Sequence, residues 1–93
     1  MADFQLYAAH PNPVREVTNI IFSLPAAGGA ALRVYDVTGR CVRTLVQGQQ
    51  QSGYHVAVFD GKTDAGALLP AGIYFYRLDA VGKTATRKLI LSH

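Results

Sequence analysis

The sequence predicts an all-β domain, a seven-stranded antiparallel β-sandwich of the immunoglobulin or fibronectin kind. Three observations predict it. Seven short apolar stretches recur, with turn residues between them every 8–12 residues or so. No window carries the 3.6-residue apolar period of an amphipathic helix. And the segment 53–78, GYHVAVFDGKTDAGALLPAGIYFYRL, sets two apolar runs around a connection built from Asp60-Gly61, Asp64, Gly66 and Pro70.

The elements follow in order. Residues 6–9 read as a first strand, closed by His10-Pro11-Asn12-Pro13, where two prolines withhold two backbone donors and make a bend or an edge. Residues 17–24 read as the second strand, with Thr18, Ile20, Phe22 and Leu24 on one side and Asn19 and Ser23 on the other; Pro25 ends it. Residues 26–29 read as a tight connection and 31–37 as the third strand, with Leu32 and Val34 on one face. Thr38-Gly39-Arg40 is a hairpin-type turn, 41–47 the fourth strand, and 48–53 a glutamine-rich loop. Residues 54–59 and 73–78 are the fifth and sixth strands. Val81-Gly82 is the last turn, and Lys83–Leu91 the seventh strand.

The sixth strand sets its own register. Tyr74, Tyr76 and Leu78 share one parity, and Arg77 and Asp79 the other, so the tyrosines should face the core, with Ile73 and Phe75 on the outer face. Tyr74 follows Leu68-Leu69-Pro70-Ala71-Gly72 in the manner of a tyrosine corner, its hydroxyl reaching back to upstream backbone. The fifth strand is ambiguous, because His55, Ala57 and Phe59 on one parity and Tyr54, Val56 and Val58 on the other are both largely apolar sets. A central strand buried on both faces, or an outer face covered by a partner, would each explain it.

Composition narrows the function classes. The 93 residues make one domain, residues 1–93, with 49% hydrophobic and 16% charged residues, enough for one core without disulfides or metals. The net charge of +3 is mild, and Lys and Arg are scattered from Arg15 to Lys88, which argues against a nucleic-acid partner. Cys41 is the one cysteine, so no intrachain disulfide is expected and the redox compartment stays open. No apolar run reaches the length of about 18 residues that a membrane-spanning helix needs. The stretch MADFQLY lacks a basic region followed by an apolar run, so no signal peptide is expected in it.

Nothing in the chain reads as chemistry. Asp60-Gly61-Lys62-Thr63-Asp64-Ala65-Gly66 suggests a calcium loop, but Lys62 sets a cation where an oxygen ligand belongs, so a turn is expected. Ser52, His55 and Asp60 make a poor triad, since His55 and Asp60 should point to opposite faces of one strand and no nucleophile elbow is present. His10, His55 and His93 are too scattered for zinc, and Gly28-Gly29 precedes no helix that would bind phosphate. No catalytic residue, metal or cofactor is therefore expected. Tyr35, Tyr54 and Phe75 could form an aromatic platform for sugar or protein.

An ordered set of motifs carries a resemblance. Pro11-Asn12-Pro13 stands near the start. Thr18-Asn19-Ile20-Ile21-Phe22-Ser23-Leu24-Pro25 fits T-x-I-x-F-x-L-P, and Val34-Tyr35-Asp36-Val37-Thr38-Gly39-Arg40 fits V-Y-D-x-x-G-R. Gly53-Tyr54-His55, Phe59-Asp60-Gly61, Gly72-Ile73-Tyr74-Phe75-Tyr76-Arg77-Leu78 and Thr86-Arg87-Lys88 followed by Leu89-Ile90-Leu91 complete it. Over residues 6–91 the chain resembles the C-terminal Ig-like (type A) sorting domains of type IX secretion cargo, and the related Ig-like domain of the flagellar hook-capping protein. Phe59 stands where that family often has Trp, and Val14 where Phe often follows Pro-Asn-Pro.

The resemblance implies a non-catalytic domain of a secreted bacterial protein, reached through the periplasm and ending at the cell surface. It implies a larger parent protein N-terminal to the domain, and an outer-membrane secretion machinery that reads the domain as a sorting and attachment signal. Phe75, Arg77, Lys83, Arg87 and Lys88 are the expected face for that partner; Tyr74, Phe59, Asp60, Gly61 and Gly72 are expected to be structural. A structural or adhesive Ig-like module and a carbohydrate-binding accessory domain are the other two classes.

Overall fold

A computed structural model describes residues 2–92. All of its regular elements are strands: β1 (Gln5–Leu6), β2 (Thr18–Leu24), β3 (Gly28–Tyr35), β4 (Cys41–Gln50), β5 (Gly53–Phe59), β6 (Gly72–Ala80) and β7 (Lys83–Leu91). Two antiparallel sheets form, one in the order β1-β2-β5 and one in the order β4-β3-β6-β7. The predicted seven-strand sandwich is what the chain adopts.

The core lies between the sheets. Ile20, Phe22 and Leu24 of β2 and Phe59 of β5 face Leu32 and Val34 of β3, Tyr76 and Leu78 of β6 and Leu89 and Leu91 of β7; all are essentially without solvent contact. Removing each large apolar side chain from water contributes about 1.5–3 kcal/mol. These positions alternate along every strand, which is why a one-residue slip would turn the whole set to solvent.

Several boundaries differ from expectation, for backbone reasons. The expected connection 26–29 is shorter, because Gly28 and Gly29 already pair with Gln50 and Gln49. Likewise β4 runs through Gln47–Gln50, since ladder bonds do not require apolar side chains. The third strand stops at Tyr35 rather than 37, because the Asp36 carboxylate accepts from the Thr38 and Arg40 N–H groups and closes a turn. β1 is only two residues long, although Tyr7 still donates to the Ile21 carbonyl. Ser23, expected outside with Asn19, is fully buried: its hydroxyl donates to the Asp3 carbonyl at 2.6 Å, and the N-terminal segment covers it.

The fifth strand is an edge, so the reading of it as a central strand buried on both faces is wrong. Ala57 and Phe59 point inward. Tyr54, Val56 and Val58 point out and are 69%, 63% and 56% exposed.

Two tyrosines of β6 lock the sandwich. Tyr74 closes the expected corner, its hydroxyl donating to the Pro70 carbonyl at 2.7 Å. Tyr76 goes further. Its buried hydroxyl donates to the Tyr7 carbonyl at 2.8 Å and accepts from the Ala9 N–H at 2.8 Å. One side chain of the four-stranded sheet thus satisfies two backbone groups next to the other sheet. Tyr76→Phe should lower the unfolding free energy by about 1–3 kcal/mol for each buried group left unpaired. Tyr74→Phe, which frees one acceptor, should cost less. Equilibrium urea denaturation of the two variants checks the order, and equal midpoints would refute it.

The turn between β6 and β7 is tight, with both central residues at positive φ, Val81 at 49° and Gly82 at 72°. That pattern is the type I′ hairpin turn, which favours Asn-Gly and disfavours a β-branched first residue. Val81→Asn should therefore raise stability by roughly 1 kcal/mol, the order of the left-handed penalty for an ordinary side chain. A lower thermal midpoint in this variant would contradict the strain.

Candidate partner face

The outer face of the four-stranded sheet collects cations and aromatic rings in two cross-strand rows. Register places Tyr35 beside Phe75 and Phe75 beside Lys88; the next row sets Arg33 beside Arg77 and Arg77 beside Thr86. The Arg77 guanidinium lies 4.8 Å above the centre of the Tyr35 ring, a cation–π contact, and its Nε donates to Asp79 Oδ2 at 2.9 Å. The Thr84 hydroxyl, and behind it Arg77 and Arg33, hold the Asp79 carboxyl below the usual range against the opposing effect of burial. So three cations, Arg33, Arg77 and Lys88, surround two half-buried rings, and the nearest carboxylate is already engaged.

The residues expected on this face divide by parity. Phe75, Arg77 and Lys88 share it. Lys83 and Arg87 belong to the opposite parity of β7, because Arg87 pairs with core-facing Tyr76 and Lys83 with buried Ala80. Arg87 is also structurally engaged, its Nε donating to the Leu6 carbonyl at 2.6 Å and tying β7 to the end of β1. It is not the uncommitted surface cation that its sequence neighbourhood suggests. Arg33 joins the face without having been expected there, and Tyr35, expected only in an aromatic platform with Phe75 and Tyr54, joins it beside Phe75. Their alternation with Leu32 and Val34 carried the signal, but only the β3–β6 pairing shows which rows meet.

The expected structural residues lie as follows. Phe59 fills the core, and Tyr74 closes its corner. The Gly61 carbonyl accepts from Leu69 at 2.9 Å, with its φ at +73°; Gly72 opens β6 with φ at +150°. Asp60 has a partner that the sequence did not reveal. Arg43 of β4 donates to Asp60 Oδ1 at 2.8 Å and to the Lys62 carbonyl at 3.0 Å, and its Nε lies 3.7 Å from Asp64 Oδ1. Asp64 also accepts from the Thr44 N–H. One guanidinium therefore stands between the two carboxylates of the loop that looked like a calcium site.

Partial burial by itself would raise the Asp60 carboxyl. The Arg43 hydrogen bond and the Lys62 N–H outweigh it and bring the carboxyl below its usual range.

The other candidates are dispersed. His55 stacks on Phe22 with 5.0 Å between ring centres, and its Nε2 lies 2.7 Å from the Gln51 carbonyl, away from Asp60. The aromatic platform divides between the two sheets. Tyr54 lies beside Tyr7 on the three-stranded sheet, while Tyr35 and Phe75 are paired on the other.

This geometry, two antiparallel sheets closed by a tyrosine corner and carrying a cationic aromatic face, defines an Ig-like β-sandwich module. The profile of the FlgD Ig-like domain family matches residues 14–84. The chain belongs to that family. Among solved structures it is similar to dimeric latent PorU from Porphyromonas gingivalis, with TM-score 0.71 and 24% identity over 98% of this chain and 9% of that one. It is also similar to PorZ, described as an essential bacterial surface component of the type IX secretion system of the same organism, with TM-score 0.62 and 21% identity over 95% of this chain and 11% of that one. FlgD from Pseudomonas aeruginosa is a third relative, with TM-score 0.57 and 24% identity over 86% of this chain and 69% of that one. At these identities the likeness is one of fold. No curated protein matches the chain. The chain spans about a tenth of the length of PorU and PorZ, where the same fold is one part of a much longer protein.

The Arg43 anchor makes a pH prediction. A carboxyl whose folded value is lowered contributes stability above its unfolded value of 3.8, lost as pH falls through the folded one. Arg43→Met should move the NMR-monitored titration of Asp60 upward toward an ordinary carboxylate. The difference in stability between the two proteins should shrink on acidification below about pH 4. An Asp60 titration that stays put in Arg43→Met would show that the ion pair does not set it.

Proposed function

We propose that the chain is a non-catalytic Ig-like domain of a secreted, surface-destined bacterial protein, and that it serves as a sorting and attachment signal for type IX secretion. The observation that carries this reading is the Arg33–Arg77–Lys88 face around Tyr35 and Phe75, on a fold shared with a surface component of that system. On this reading the partner is an outer-membrane secretion protein. It would read folded surface, with cations steering an acidic partner and half-buried rings supplying apolar contact. The parent protein lies N-terminal to the domain and carries whatever activity is exported. The family match to the FlgD Ig-like domain supports a second reading, a structural module within a surface assembly.

The test separates them. Residues 1–93 are fused to the C-terminus of a signal-peptide-bearing reporter in a type IX-competent bacterium, and reporter is measured at the surface and in the periplasm. The intact domain should bring the reporter to the surface. Arg77→Ala combined with Lys88→Ala should reduce export at least several-fold while the purified domain keeps its circular dichroism, since Lys88 is exposed and the Arg77–Asp79 pair is partly open to solvent, where an ion pair contributes about 0–1 kcal/mol. Arg87→Ala is unsuited to this comparison, because it also cuts the bond to Leu6. Periplasmic retention of the intact fusion would refute sorting and leave the structural-module reading.

A further inference from the structure

Four strand edges bound the two sheets, and three are guarded. β1 is two residues long. β7 carries Lys83, Arg87 and Lys88, and residues 12–14 cap its C-terminal end: Ile90 N–H donates to Asn12 Oδ1, Val14 N–H to the Ile90 carbonyl and Ser92 N–H to the Val14 carbonyl. The register of β4 against β3 shifts twice, and β4 carries Arg43 and several glutamines. Shortness, charge, cover and irregularity are the usual protections of a sheet edge. β5 has none of them. Its seven residues, Gly53–Phe59, include no Lys, Arg, Asp, Glu or Pro, and its pairing with β2 is unbroken.

The bonds of β2 show which way β5 turns. Tyr7 N–H donates to the Ile21 carbonyl, and Asn19 and His10 exchange both backbone bonds. Odd-numbered residues of β2 thus direct their backbone groups toward β1. Their antiparallel partners Tyr54, Val56 and Val58 direct theirs away from β2, to the open edge. Among the described residues no other backbone or side-chain group bonds those N–H and C=O groups. The same three residues carry the exposed apolar side chains of the outer face, continuous with Tyr7 and with Ile21, which stands opposite Val56. Together they form one apolar surface running up to the open edge.

We infer that β5 is the pairing edge of a homodimer, two copies joining antiparallel about a two-fold axis at Val56. In that register Val56 faces Val56 of the second copy, and Tyr54 faces Val58 of the second copy at both ends. All three pairs are of the hydrogen-bonded type, giving about six backbone bonds. Aromatic against β-branched is a favourable cross-strand pair. A second copy is the occupant that the chemistry selects. The edge bears no charge for a foreign partner to complement, and the order Tyr54, Val56, Val58 is complementary to itself when reversed, as an isologous interface requires. The product is one continuous sheet, β1-β2-β5 joined to β5-β2-β1 of the second copy, on the side of the sandwich away from the Arg77 face. An interface of this extent belongs to the small, concentration-dependent class.

Sedimentation equilibrium between about 1 μM and 1 mM tests it. The mass should rise from one copy toward two, and the Val56 amide should gain hydrogen-exchange protection in step. Val56→Lys sets two ammonium groups opposite each other on the axis and should hold the mass at one copy, with unchanged circular dichroism. Val56→Glu should do the same, and mixing the two variants should restore the two-copy mass, because Lys then faces Glu. Ile21→Lys, on the same outer face but off the edge, should leave the dimer intact. One copy at every concentration for the unaltered chain overturns the inference and leaves the edge to a strand of another protein. A dimer that survives Val56→Lys, or one that Ile21→Lys dissociates while Val56→Lys does not, also overturns it, the second by showing face-to-face stacking of the sheets.

Discussion

The hydroxyl of Tyr76 is the point on which this sandwich turns. The chain must pass from β1 to β2 through residues 7–17, and part of that crossing is buried. Backbone N–H and C=O groups there must find partners or cost free energy. Tyr76 supplies both at once, accepting from Ala9 and donating to Tyr7, while its ring fills the core. No aliphatic residue of similar size could do this. The phenol thus fastens the segment that follows β1 to the four-stranded sheet, and Arg87, midway along β7, adds its bond to the Leu6 carbonyl.

Once the sheets are fixed, the two outer faces acquire different characters. The four-stranded sheet has a wide face on which long side chains lie flat across neighbouring strands, so Arg77 can rest on Tyr35 while bonding Asp79. The three-stranded sheet is narrower and shorter. Its outer face carries valine, isoleucine and tyrosine with little cover, and its β5 edge is bare. One domain thus presents a cationic aromatic face and an uncharged apolar edge on opposite sides.

The loop between β5 and β6 shows how a sequence can suggest chemistry that the structure puts to another use. Asp60 and Asp64 are spaced like ligands, but Arg43, a residue from the neighbouring sheet, stands between them. The guanidinium makes planar, directional bonds to carboxylate and carbonyl together, which suits it to fastening a long irregular connection. The same bonds account for the lowered Asp60 carboxyl. The loop is a clasp between the two sheets.

What the sequence by itself determined is everything that depends on neighbours along the chain. Alternation made seven strands legible, Asp-Gly and Val81-Gly82 marked turns, and Leu68 to Tyr74 announced the corner, because each is a property of a few consecutive residues. The inward parity of Tyr74, Tyr76 and Leu78 was legible for the same reason. What only the tertiary structure decided depends on pairing between distant segments. Whether β5 is central or at an edge is a matter of strand order, which its own apolar alternation does not encode. The separation of Arg87 from Lys88 depends on β7 pairing with β6, and the tie of Arg87 to Leu6 spans most of the chain. Arg43 meets Asp60, and Tyr76 meets Ala9, only because the two sheets stack. Contacts of that kind are set by the cheapest joint burial of all seven strands, a quantity that no single stretch of residues contains.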